Sequence, residues 1–261
     1  MSLLKKEKLN LLQNILPEGA VVPGQWLQRQ GYSRQLIYKY VKNGWLIRLG
    51  SGAYARPGTE LSWQAAVASW QHTVATTWHP GGESALNLQG HAQYLRLRSE
   101  GKIHLYGRGA IPAWFKALPL DAEPVFHSRG LFAEHARAMG LVTWPGPIRK
   151  WPLTIAEPER AILEMLSDVH DEFSFTHAAE LMQGLTTLRP ERVTNLLMAC
   201  THVKARRLFL FLADYYQHPW LERVAVKQVD IGKGKRSIVQ GGKLDMTYLI
   251  TVPESFYVRP G

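Results

Sequence analysis

In this 261-residue chain the side chains with the clearest chemistry lie near the start. Ser33, Arg34, Gln35, Tyr38, Lys39 and Lys42 occupy the non-core positions of one short predicted helix. A guanidinium forks onto guanine and a carboxamide onto adenine, while ammonium and phenol groups hold phosphates. Arg48, Ser51 and Arg56 follow on a predicted hairpin, where they would reach the nucleic-acid backbone or a minor groove. Together these residue types suit the reading of duplex DNA.

The charge pattern points the same way. The net charge is +10, and residues 1–58 hold nine basic residues against the two acids Glu7 and Glu18. An excess so confined suits a polyanion, because each neutralised phosphate releases condensed counterions. The same residues would also suit a protein-contact module with a solvated basic face, but the local charge excess favours DNA. A second basic stretch runs from Lys204 to Lys243. Within it Arg206, Arg207, Lys233, Lys235 and Arg236 form a candidate second nucleic-acid patch, for which a solvated face is an equal alternative.

Other chemistry finds little support. The ten histidines lack metal-ligand spacing, and the one cysteine, Cys200, can form neither an internal disulfide nor a cysteine-based zinc site. The turn Gly232-Lys233-Gly234-Lys235-Arg236 lacks the spacing of a phosphate loop and reads as a basic turn between strands. Glu157 and Glu159 open a helix, where acids favour the macrodipole without a catalytic role. A metal-dependent nucleic-acid enzyme would need clustered carboxylates, and its candidates Asp168, Asp171 and Glu172 read better as a solvated helix end. No enzyme activity, cofactor or metal is expected.

The elements that must position the basic residues follow from periodicity. Leu4, Leu9, Leu11, Leu12, Ile15 and Leu16 recur at the spacing of a first helix stopped by Pro17-Glu18-Gly19. Pro23 opens a second helix carrying Trp26 and Leu27, and Gly31 supplies a turn. Ser33 caps a third helix over Arg34–Lys42 that buries Leu36, Ile37, Tyr40 and Val41, with Gly44 at its stop. Two strand-like runs around Gly50-Ser51-Gly52 complete a winged helix-turn-helix over residues 1–58. Residues 59–261 read as a larger mixed α/β domain, making the chain α+β. Helices are expected near residues 61–70, 83–90, 158–166, 176–183, 190–199 and 208–216, and strands at 102–106, around Phe126 and Leu131, and at 224–231 and 248–252. With 46% apolar residues the chain can build a core. It has no run of the roughly 18 apolar residues that a membrane span needs. A polar start argues against a secretory signal, so a soluble cytoplasmic protein is expected.

One family shows these features in this order. The basic winged helix with Gly50-Ser51-Gly52-Ala53-Tyr54-Ala55-Arg56 is followed by Gly82-Glu83-Ser84-Ala85-Leu86-Asn87-Leu88-Gln89-Gly90, Pro158-Glu159-Arg160-Ala161-Ile162-Leu163-Glu164 and Gly241-Gly242-Lys243-Leu244-Asp245. The chain thus resembles the AbiEi antitoxin and transcriptional regulator family of type IV toxin–antitoxin systems. The resemblance implies a winged helix that binds inverted repeats in its own promoter and represses the operon. Residues 33–42 would read DNA and 45–56 would form the wing. It further implies a C-terminal domain that counteracts a nucleotidyltransferase toxin without a stable complex, in a setting of phage defence.

Overall fold

Leu9, Leu12 and Leu16 recur at helical spacing and are all buried, which fixes the inner face of the first helix. The computed structural model describes residues 3–91 and 101–257. Its first part runs α1 (Leu3–Ile15), β1 (Val21–Pro23), α2 (Gly24–Arg29), α3 (Arg34–Lys42), β2 (Ile47–Leu49) and β3 (Ala53–Ala55). The strands form an antiparallel sheet in the order β1-β3-β2. Strand β1 went unread in the sequence because it has only three residues and abuts α2 directly; Pro23 ends the strand and stands just outside the helix.

Both ends of α3 are closed by local chemistry. The Ser33 hydroxyl accepts from the Leu36 amide at 3.2 Å, satisfying one of the helix's orphan donors. At the far end the Gly44 amide donates to Val41 and the Trp45 amide to Tyr40, a Schellman closure. It needs a left-handed residue at position 44, where glycine has φ +72°. Ile37 and Tyr40 are buried, while Leu36 and Val41 are half-buried. Tyr32 ties the bundle together, its hydroxyl donating to the Lys8 carbonyl at 2.9 Å. Burial and the neighbouring Tyr40 push the Tyr32 phenol up to about 12.

Beyond this come α4 (Trp63–Thr73), β4 (His79–Pro80), α5 (Gly82–Leu88), β5 (Lys102–Tyr106), α6 (Ala113–Lys116), β6 (Glu123–His127), β7 (Leu141–Trp144) and β8 (Leu153–Ala156). Helices α7 (Pro158–Asp168), α8 (Glu172–Gly184), α9 (Pro190–Ala199) and α10 (Val203–Tyr215) follow, then the hairpin of β9 (Lys243–Asp245) and β10 (Ile250–Val252). Strand β5 pairs antiparallel with β4 and parallel with β6, placing Tyr106 beside His127. β7 pairs antiparallel with β8.

Two apolar cores result. One packs α7 against α5, α8, α9 and α10, with Leu163, Leu166, Phe175, Phe209 and Leu212 inside. The other joins Leu12, Leu27 and Leu46 to Trp70, Trp78, Phe115 and Ile155. That second core crosses residue 58, where the sequence reading had placed a boundary. Two hydrogen bonds reinforce the crossing, from the Val21 amide to Ser69 Oγ at 3.0 Å and from Arg29 Nη2 to the Thr73 carbonyl at 3.0 Å.

Three expectations need correction. Residues 224–231 form no strand; Val226–Gln228 is a single 3-10 turn, with Val224 and Val229 buried beneath it. The run is rich in β-branched residues, but no strand lies alongside to pair with it, and pairing decides strand formation. The turn at 232–236 therefore has no strand before it. Leu131 lies in a loop rather than a strand, although β6 does contain Phe126.

Candidate nucleic-acid interface

Burying Ile37 and Tyr40 turns the opposite face of α3 outward. Ser33, Arg34, Gln35, Tyr38, Lys39 and Lys42 are all exposed, Tyr38 to 71%. Tyr38 thus stands clear of the wing. Gln28 and Gly31 border a shallow hollow with Ser33, Arg34 and Gln35, at the turn between α2 and α3. On the hairpin Arg48 and Ser51 are exposed. Arg34, Lys39, Lys42 and Arg48 make no ion pair among the described residues, so their charge is available to a polyanion. Arg56 differs, being half-buried and paired with Glu18 at 3.0 Å.

The hairpin tip does not hang free. Gly50 has φ +60°, and a Cβ there would come 2.3 Å from the Ala117 carbonyl oxygen. The hairpin therefore rests on the turn that closes α6, within the larger C-terminal part.

The second basic stretch divides into two. Lys233, Lys235 and Arg236 are exposed, but Arg206 and Arg207 are buried, Arg207 completely. Arg207 donates from Nε to Ile231 at 2.6 Å, from Nη1 to Gly234 and Leu249, and from Nη2 to Gly232 at 2.9 Å, all backbone carbonyls. It shapes the turn carrying the exposed lysines from beneath and offers nothing to a ligand outside. The sequence counted its charge without its direction: α10 alternates Arg206 and Arg207 with a strongly apolar run that faces inward.

Two of the three carboxylates considered for a metal are engaged elsewhere. Asp171 caps α8 in a reciprocal box with Ser174, its Oδ1 accepting from the Ser174 amide at 2.8 Å. Asp168 accepts from His127 Nδ1 at 2.9 Å and from the Tyr106 hydroxyl at 2.8 Å. Glu172 is exposed. No group of three or more His, Cys, Asp or Glu is arranged to hold a metal among the described residues.

A polar layer missed by the sequence reading lies between β5, β6 and α7. His104 Nδ1 meets His127 Nε2 at 2.9 Å, and the His127 ring stacks on Tyr106 with centroids 4.3 Å apart. Glu164 Oε1 takes hydrogen bonds from His79 Nε2 at 2.9 Å and Arg160 Nε at 2.7 Å. Burial raises the Glu164 carboxyl, but the charges of Arg160 and His79 outweigh it and hold the group below its usual range. Glu157 and Glu159 are likewise buried and paired with Arg189 at 2.8 and 2.9 Å, a firmer role than an interaction with the helix macrodipole alone. Two sequence signals could have found part of the layer: Arg160 and Glu164 four apart on one helix, and His104 and Tyr106 two apart on one strand.

This combination, an exposed basic helix face beside a larger mixed α/β body, suits a protein that meets a polyanion. Residues 5–97 match the family described as "Transcriptional regulator, AbiEi antitoxin N-terminal domain". Residues 100–253 match "Transcriptional regulator, AbiEi antitoxin, Type IV TA system". The chain belongs to the AbiEi antitoxin family of transcriptional regulators in type IV toxin–antitoxin systems. Comparison with curated proteins gives no match. Among solved structures it is similar to the RV2827C protein from Mycobacterium tuberculosis. The TM-score is 0.51 and the identity 16%, over 94% of this chain and 89% of that one. At that identity the likeness concerns the fold. No helix among the described residues is long and apolar enough to cross a membrane.

Proposed function

We propose that the chain represses its own operon by binding inverted repeats in duplex DNA through a winged helix-turn-helix in residues 1–58. In this reading α3 enters the major groove, with Arg34 and Gln35 toward base edges and Tyr38, Lys39 and Lys42 toward phosphates. Arg48 and Ser51 on the hairpin follow the neighbouring backbone, and Arg56 joins them once it leaves Glu18. The observation that carries the reading is the division of α3 into a buried apolar face and an exposed face whose cations lack partners. Family membership supports it. Lys233, Lys235 and Arg236 would extend the footprint. The antitoxin role is read as action against a nucleotidyltransferase toxin without a stable complex, and it rests on the family alone.

A gel shift on the DNA upstream of the gene, titrated with salt against scrambled DNA of equal length, tests the repressor reading. Specific retardation that the double variant Arg34→Ala/Lys39→Ala abolishes is the expected result. Equal retardation of both DNAs would reduce the basic face to generic charge. No retardation at low salt would end the reading. Co-expression with the neighbouring toxin gene, scored for growth, tests the antitoxin role.

A further inference from the structure

A cavity of about 220 Å³ opens where β5 and β6 end, beside α7. Carboxyl ends of parallel strands are a recurrent place for ligand sites, because the loops that follow diverge and leave a crevice. Here the loops bring Arg108 and Arg129 to the rim. Neither has an ion pair among the described residues. The Arg108 guanidinium lies directly over Gly130, where a Cβ would be 2.2 Å from its Nη2. Two guanidinium side chains without ion pairs thus line one cavity, an arrangement that suits an anion.

Deeper in the cavity stands Arg160, with only 7% of its side chain exposed. Its plane is locked by Glu164 through Nε, by the carbonyls of Arg137 and Met139 through Nη1 at 2.7 and 2.6 Å, and by Phe132, whose ring centroid lies 4.7 Å from the guanidinium carbon. Its Nη2 has no hydrogen-bond partner among the described residues. The guanidinium is thus fixed in place while one of its nitrogens keeps donors to spare. The remaining wall is mixed: Leu131, Phe132 and Leu141 are apolar, Thr76 and Thr77 are polar, and the Glu164 carboxylate at its base is already engaged by His79 and Arg160.

We infer that this cavity binds a small organic phosphate of the mononucleotide class, its phosphate on Arg108, Arg129 and Arg160 Nη2 and its flat body against Leu131 and Phe132. Three guanidinium groups offer more donors than one carboxylate accepts, whereas a phosphate monoester presents three terminal oxygens. The enclosure excludes a duplex, so this site is separate from the face of α3 and stands whether or not that face binds DNA.

Titration calorimetry on the full chain tests the assignment, with AMP and GMP as probes and adenosine, inorganic phosphate and citrate as comparisons. Saturable binding of a mononucleotide is expected, at least about tenfold tighter than any of the three comparisons. Arg129→Gln should weaken it by about tenfold or more. So should Ala138→Trp, which fills the cavity from an exposed lining position, while Lys39→Ala leaves binding unchanged. If the tryptophan variant fails to fold, Arg108→Gln, on an exposed side chain, takes its place. Absence of saturable heat up to about 5 mM ligand overturns the proposal. So does binding that survives the variants, and so does equal affinity for citrate or for inorganic phosphate.

Discussion

Arg34 and Lys39 share one exposed face of α3 but would act on DNA through different physics. A forked contact from Arg34 to a base edge contributes discrimination, so Arg34→Ala should cost about 1–3 kcal/mol and relax preference at one position. A phosphate contact from Lys39 carries no sequence information. Lys39→Ala should weaken all DNAs alike and reduce the salt slope by about one. Fluorescence anisotropy across a salt series separates the two, and unchanged affinity in both variants would remove α3 from the interface. Arg207 acts wholly within the fold. Removing it strands the carbonyls of residues 231, 232, 234 and 249. Arg207→Met should therefore lower stability by about 3 kcal/mol in urea unfolding, against less than about 0.5 for Lys235→Ala. In sequence these two residues looked alike, because a run of basic letters does not say which side chain turns toward backbone carbonyls.

At the scale of elements, α3 was legible to its last residue because its signals are local: a serine cap, an apolar stripe and a glycine stop. Strands were legible where they are long enough to alternate or, as in β2 and β3, where a glycine turn joins them. β5 and β6 have five residues each, whereas β1 and β9 have three and exist through their partners. The wing shows how an element can depend on a remote one. Gly50→Val would push a branched side chain onto the Ala117 carbonyl at a left-handed backbone position. A loss of about 2 kcal/mol is expected, with the hairpin displaced. Thermal unfolding together with DNA affinity reads both effects, and a neutral outcome would show that the tip is not held by α6.

For the whole molecule, the core that joins Leu12, Leu27 and Leu46 to Trp70 and Phe115 makes residues 1–58 a part of a larger packing unit. A fragment of residues 59–261 would expose those aromatic rings, so it should bind a hydrophobic dye and melt less cooperatively than the full chain. Point variants on α3 are for that reason the cleaner probe of DNA binding. The polar layer around α7 contributes to the response to acid, alongside His72, His202 and His218, whose pKa values burial also lowers. Burial, with the neighbouring His127, lowers the His104 pKa, so the folded chain resists a proton that the unfolded chain accepts below about 6.5. Burial raises the Asp168 carboxyl, but hydrogen bonds from His127 and Tyr106 outweigh it and hold the group below its ordinary 3.8. Its contribution is present above that value and is lost as pH falls through the lower folded one. Both effects have the same sign. Melting temperature should fall first below about pH 6.5 and again below about pH 4, and His104→Gln should make only the first step shallower. Identical profiles for the variant and the natural chain between pH 7 and 5 would show that His104 does not contribute.

Composition and order along the chain carried the basic start, the helix that would read DNA and the succession of motifs that marks the family. Such features depend on near neighbours, which a linear reading sees. Folding in three dimensions settled the rest. It turned Arg207 inward while leaving Lys235 outside, rested the wing on α6, and brought His104, His127 and Asp168 together from three different elements. These depend on contacts between residues far apart in the chain, and no local pattern encodes which distant partner will satisfy a buried charge.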